Sequence, residues 1–226
     1  MDTPEDIPLE LLPHPETRLV QTHITLRPKS TSALVSLFMI LFITLITQIY
    51  WRNSFHLADQ LPAVNRLIFD NGEVWRLFSA ILIHGDMGHL LANMYMLGIL
   101  SYFVYGYFGW GLYPVTTFFG AALVNLISIS TYPPDVRLLG ASGWVYLLGG
   151  LWLTLYLLIQ RQYRFSRRLL RVCGIALMIF FPTTFEPTTS YRTHFIGFII
   201  GILIALIYFY FQRRQIRQSE AYRVFD

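Results

Sequence analysis

Between Thr31 and Tyr50 the chain runs for twenty residues without one charged side chain, and no other feature limits its fold as strongly. At about 1.5 Å per residue, a helix of that length crosses the roughly 30 Å hydrocarbon core of a bilayer. Further apolar runs follow at about His89–Phe108, Tyr113–Ser130, Ser142–Ile159, Leu170–Phe185 and Thr193–Gln212. Charged residues make up 13% of the chain and hydrophobic ones 54%, whereas an ordinary soluble domain is about 25% charged. The expected fold is an all-α integral membrane protein, a six-transmembrane-helix bundle with an interfacial loop between helices one and two.

Three segments organise this expectation. Residues 1–30, with Asp2, Glu5, Asp6, Glu10 and Glu16 among prolines, read as a soluble N-terminal tail rather than a signal or transit peptide. Residues 31–212 form the six-helix membrane domain, and 213–226 a C-terminal tail. The connection from Trp51 to about Asp86 has amphipathic pieces such as Leu61–Phe69, too short and too charged to cross, and is placed at the interface. The single cysteine, Cys173, allows no internal disulfide and reads as a small core residue.

Alternating spans sort the seventeen Lys and Arg residues unevenly. One side receives twelve: Arg18, Arg27, Lys29, Arg161, Arg164, Arg167, Arg168, Arg171, Arg213, Arg214, Arg217 and Arg223. The other receives five: Arg52, Arg66, Arg76, Arg137 and Arg192. Positive charge is retained inside, so both termini are expected to be cytoplasmic, with the starts of spans two, four and six facing outward. The bacterial inner membrane is the expected location, a eukaryotic membrane the alternative. The basic residues gather beside apolar segments, which fits membrane topology and lipid contact and argues against nucleic acid.

Polar side chains on apolar spans are costly and mark functional sites. Here His84, His89 and Asn93 enter span two, Ser142 starts span four and His194 starts span six. The charge-derived topology, which used none of them, puts all five near outward-facing ends. His89 and Asn93, four apart, share a helix face, as do Ser142 and Tyr146. Gly197 and Gly201 follow His194 at helical spacing, so the histidine face is stripped of bulk and another helix can approach closely.

A serine hydroxyl needs a base, and an imidazole with an ordinary pKa of about 6.5 suits that role. Asn93, His89 and the backbone N–H groups of the turn Gly140-Ala141-Ser142-Gly143 could donate to a developing oxyanion. No acid is placed to orient His194, since Glu186 lies eight residues upstream and Asp135 precedes the serine turn. The residues therefore suggest a Ser–His dyad and call for no cofactor.

Four motifs in order, Glu73-Val74-Trp75-Arg76, His84-x4-His89-x3-Asn93, Gly140-Ala141-Ser142-Gly143 with Tyr146, and His194-x2-Gly197-x3-Gly201, resemble the rhomboid family of intramembrane serine proteases. The resemblance implies Ser142 as nucleophile, His194 as base, and His89, Asn93 and the Ser142 N–H as oxyanion donors. It implies that Tyr146 packs on the His194 ring and that Trp75 and Arg76 anchor the first connection, although these two also read as an interfacial aromatic and a snorkelling cation. Implied substrates are single-pass membrane proteins, cut near the outer end of a transmembrane helix. Two positions depart from the pattern: Tyr105 stands where many relatives carry glutamate, and Thr193 where alanine usually precedes the base. The alternatives are a catalytically silent relative that binds membrane clients, and a metal-dependent enzyme or transporter using His84, Asp86, His89 and His194. The latter lacks the H-E-x-x-H pattern of zinc proteases.

Overall fold

The computed structural model describes residues 16–53, 56–180 and 190–225. In chain order these are strand β1 (Glu16–Gln21), helices α1 (Ser32–Trp51) and α2 (Leu57–Gln60), strand β2 (Ala63–Val64), helices α3 (Asn65–Phe69), α4 (Arg76–Ser79), α5 (Met87–Phe108) and α6 (Thr117–Ile129), strand β3 (Arg137–Leu138), helices α7 (Ser142–Ile159), α8 (Phe165–Phe180) and α9 (Tyr191–Arg217), and strand β4 (Ala221–Phe225). A widened turn, Gly111–Thr116, leads into α6 and breaks helical geometry at Tyr113, beside Pro114.

Among the described residues five helical segments are long and apolar enough to cross a membrane: Ser32–Trp51, Met87–Phe108, Gly111–Ile129, Ser142–Ile159 and Tyr191–Arg217. Their outward faces suit lipid rather than water. Leu34, Leu37, Phe38, Leu41 and Leu45 of α1, and Phe195, Leu203, Ile207 and Phe211 of α9, are exposed. The chain is an integral multi-pass membrane protein. The expected span Leu170–Phe185 is represented by α8, which begins earlier, carries Arg167, Arg168 and Arg171, and ends where residues 181–189 lie outside the described residues.

The central element is α7, which packs against α5, α6, α8 and α9 and buries Trp144, Leu147, Leu148, Leu151 and Leu155. Its apolar side chains point all round the helix, as an encircled helix requires. Lipid offers no hydrophobic gain for helix pairing, so close approach depends on small residues. A Cβ on Gly197 would lie 2.5 Å from the Gly143 carbonyl oxygen, and one on Gly201 would strike the Leu147 carbonyl oxygen. The pairing of 143 with 197 and 147 with 201 makes α7 and α9 parallel.

The first connection is more than an interfacial strap. It buries Ala63, Ile68, Leu77, Ala80 and Ile81, and β2 pairs antiparallel with β3, just before the serine turn. Asn125 of α6 donates to the Leu77 carbonyl at 2.8 Å, and Asn65 donates to those of Ile129 and Tyr132.

The tails also differ from expectation. β1 and β4 form an antiparallel pair, with Arg18 opposite Arg223, and α9 extends past 212 to Arg217. The pair is moored to the helix bundle. Gln21 donates to the Ser219 carbonyl at 3.1 Å, a ring nitrogen of His23 lies 2.9 Å from the Tyr107 carbonyl, and Arg161 pairs with Glu220 at 2.7 Å. Cys173, expected in the core, is exposed on α8.

Candidate active site

Ser142 is the first residue of α7 and is half-buried. The N–H groups of a helix's first turn have no intrahelical acceptor, so the serine stands beside free backbone donors, its own among them. The turn before it is fixed by three contacts to the first connection and its exit. β3 pairs with β2, the Gly140 N–H donates to the Ala80 carbonyl at 2.9 Å, and the Ala141 N–H donates to His84 Nε2 at 3.2 Å. Gly140 has φ +117°, which other residues rarely adopt. A Cβ there would also lie 2.5 Å from His89 Cε1 and 2.8 Å from Nε2. The glycine therefore lets the backbone take this path and lets the His89 ring close against it.

His84 is fully buried, with Nδ1 3.2 Å from Thr47 Oγ1 and Nε2 accepting from Ala141. That acceptor role requires a neutral ring with its proton on Nδ1. Burial, reinforced by His89 and opposed by Asp86, pushes its pKa down to about 3. His84 thus supports the serine turn and is not itself open to substrate. His89 stands edge-on to it, with ring centroids 5.1 Å apart, and lies in the first turn of α5 under the Asp86 cap, whose carboxylate accepts the His89 N–H at 2.8 Å. Asn93 is buried one turn on, and its amide donates to the His89 carbonyl at 2.9 Å. One of its two N–H groups is therefore used within the helix, leaving the other.

His194 sits in the first turn of α9. Its ring lies flat on that of Tyr146, with centroids 4.0 Å apart and planes 10° from parallel, and Tyr191 meets it edge-on at 6.1 Å. Tyr146 is one helical turn beyond Ser142, so the stack brings His194 and Ser142 to one corner of the α7–α9 seam. His194 Nδ1 is buried and has no hydrogen-bond partner among the described residues. Asp135 pairs with Arg66 at 3.1 Å, away from this ring, and Glu186 lies outside the described residues.

Of the remaining expected residues, Gly143 faces Thr193 Cγ2 and Val124 Cγ1, each 3.1 Å from a built Cβ, and Gly197 and Gly201 form the seam. Arg76 is only 5% exposed and donates to the Asp59 and Pro62 carbonyls and to Glu73, at 2.8, 3.1 and 2.6 Å. It is a loop anchor, not a snorkelling cation. Trp75 is 54% exposed and fits the interfacial-aromatic reading instead. Tyr105, buried, shares a hydrogen bond with Thr31 Oγ1 at 3.1 Å and so ties α5 to the start of α1. No three His, Cys, Asp or Glu side chains among the described residues converge as metal ligands, so His84, Asp86, His89 and His194 do not form such a set.

Sequence reasoning missed Gly150, where a Cβ would strike the Phe198 carbonyl oxygen, although the Gly149-Gly150 pair was a visible signal. It also missed Tyr132 and Ser190, whose hydroxyls meet at the start of α9 and leave no mark in any spacing.

Residues 71–211 match the family model described as the Rhomboid domain. The chain is 28% identical over 151 residues to RHOMBOID-like protein 5 of Arabidopsis thaliana, a match covering 66% of this chain and 48% of that one. It is 25% identical over 147 residues to Rhomboid-like protease 3 of Toxoplasma gondii, covering 62% and 54%. The match thus spans about half the length of these relatives. With its family model extending over more than half of the sequence, across α5, the serine turn and the α7–α9 seam, the chain belongs to the rhomboid family.

Proposed function

We propose that the protein is an intramembrane serine endopeptidase that cuts single-pass membrane proteins near the outer end of their transmembrane helix. One arrangement carries this reading: a half-buried serine at a helix N-terminus, beside a histidine stacked on the same helix one turn deeper. His194 takes the Ser142 Oγ proton as that oxygen attacks the scissile carbonyl. It returns the proton to the leaving amine, and water then releases the acyl group by the same route. His89, the second Asn93 N–H and the Ser142 N–H receive the negative charge on the carbonyl oxygen.

The same reading takes six crossings with both ends cytoplasmic. β1 precedes the first span and β4 follows the last, and because they pair, the number of crossings is even. With α7 and α9 parallel, the chain from Ile159 to Tyr191 returns across the bilayer, and α8 is the helix on that return. The arginines of α8 and of the end of α9 support a cytoplasmic side for this paired end.

The test is cleavage of a model single-pass substrate by purified protein in detergent. Wild type should cut and Ser142→Ala should not. Asn93→Ala should lose about 10²–10³-fold in kcat with KM near wild type, because its amide acts on the transition state. A protein that binds the substrate but leaves it intact is the silent relative, and the protease reading falls.

A further inference from the structure

The first turn of α9 is closed by hydroxyl groups. Ser190 caps the helix: its Oγ accepts the Thr193 N–H at 3.2 Å, lies 2.5 Å from Thr193 Oγ1 and hydrogen-bonds with the Tyr132 hydroxyl. Tyr132 belongs to the segment between α6 and β3. Arg192 ties the same turn to that segment from outside, donating to the Thr131 carbonyl at 3.0 Å and to Thr131 Oγ1 at 2.7 Å.

Thr193 is the centre of this arrangement. It is 2% exposed, and its two branches do different things. The hydroxyl joins the cap, while the methyl presses on Gly143, 3.1 Å from a Cβ built there. One residue, directly before His194, therefore touches the residue directly after Ser142. Among the described residues nothing hydrogen-bonds His194 Nδ1 to set its place. Its ring is held by the Tyr146 stack and by wherever the first turn of α9 puts its backbone.

We propose that the hydroxyl chain Tyr132–Ser190–Thr193 is the positioning device of the Ser–His pair, doing for His194 through the backbone what an acid would do through Nδ1. The proposal rests on the protease reading above. A helix's first turn frays without its cap, and a catalytic group misplaced by about 1 Å can lose on the order of 10²-fold in rate. Thr193 supplies both the hydroxyl of the cap and the methyl against the serine helix.

The experiment separates these branches. Thr193→Val keeps the methyl and removes the hydroxyl, Thr193→Ser does the reverse, and Tyr132→Phe removes the far end of the chain. Each is compared with wild type for kcat and KM on the model substrate, for thermal midpoint in detergent, and for hydrogen–deuterium exchange of the backbone amides of residues 190–196. Thr193→Val and Tyr132→Phe should lower kcat about tenfold with KM unchanged and speed exchange in that turn, and Thr193→Ser should retain kcat within about threefold. A Thr193→Val protein with full kcat, a loss confined to KM, or a Thr193→Ser protein as slow as Thr193→Val overturns the proposal. Wild-type protein that cuts nothing sinks the protease reading. Unchanged exchange in Thr193→Val sinks the hydroxyl chain whether or not the protein cuts.

Discussion

The seam between α7 and α9 and the attachment of α8 are built on opposite principles. At the seam, three glycines bring backbone against backbone, and Gly143, Leu147, Gly150 and Leu151 of α7 are all buried. α8 buries nothing between Phe165 and Leu177. It is fastened by long side chains, Arg168 to the Leu157 carbonyl at 2.5 Å and Arg171 to the Tyr156 hydroxyl at 3.2 Å. Backbone contacts leave no freedom, whereas arginine stems bend. Ser142 and His194, the pair proposed to react, therefore sit where neighbours are held most tightly, and the peripheral helix answers to lipid and charge.

The largest effect should follow Gly201→Val. The new Cβ meets the Leu147 carbonyl oxygen and lies 2.9 Å from Leu147 C and Leu151 N, all backbone atoms that no rotamer can move aside. Roughly 3 kcal/mol or more of stability should be lost, together with activity. Thermal denaturation in detergent checks this, and an unaltered midpoint would mean that the seam is looser than its contacts require.

Acid should act next, through the histidine that supports the serine turn. Folded, His84 holds no added proton until about pH 3, whereas the unfolded ring takes one near its ordinary 6.5. Below about pH 6.5 the unfolded state binds the extra proton, so stability falls as pH drops and continues to fall toward about 3. Between about pH 7 and pH 5 the loss should be on the order of 2 kcal/mol, and His84→Asn should flatten that part of the curve. Equal slopes in both proteins would remove His84 from the account. The smallest effect should be that of Cys173→Ala on α8, within about 0.5 kcal/mol, since the thiol is exposed. A larger shift would show that α8 packs against something more than side-chain tips.

The legible parts of this molecule are those whose physics is periodic. Ser142–Ile159 was readable end for end, because the bilayer dictates length, the glycine turn marks the start and Arg161 follows the end. The meeting of α7 with α9 was readable because glycine at helical spacing has one main use in lipid. Asn93 and His89 were readable as polar residues on a membrane helix, but the bond between the Asn93 amide and the His89 carbonyl was not, since spacing says nothing of rotamers. For Arg76 the residues alone left the loop anchor and the snorkelling cation both open, because its carbonyl partners at Asp59 and Pro62 lie seventeen and fourteen residues away. The tail strands escaped notice because each is short and unpatterned, and only the other makes it a strand.

That pairing has a consequence for how the molecule is made. Gln21 and its partner Ser219 are 198 residues apart, and at roughly 5–20 residues per second a ribosome needs on the order of ten to forty seconds to travel between them. During that interval β1 waits with no strand to join, while one span after another enters the bilayer. Its register is settled only when β4 emerges, so the clasp closes last and only on a chain whose spans have all been threaded an even number of times.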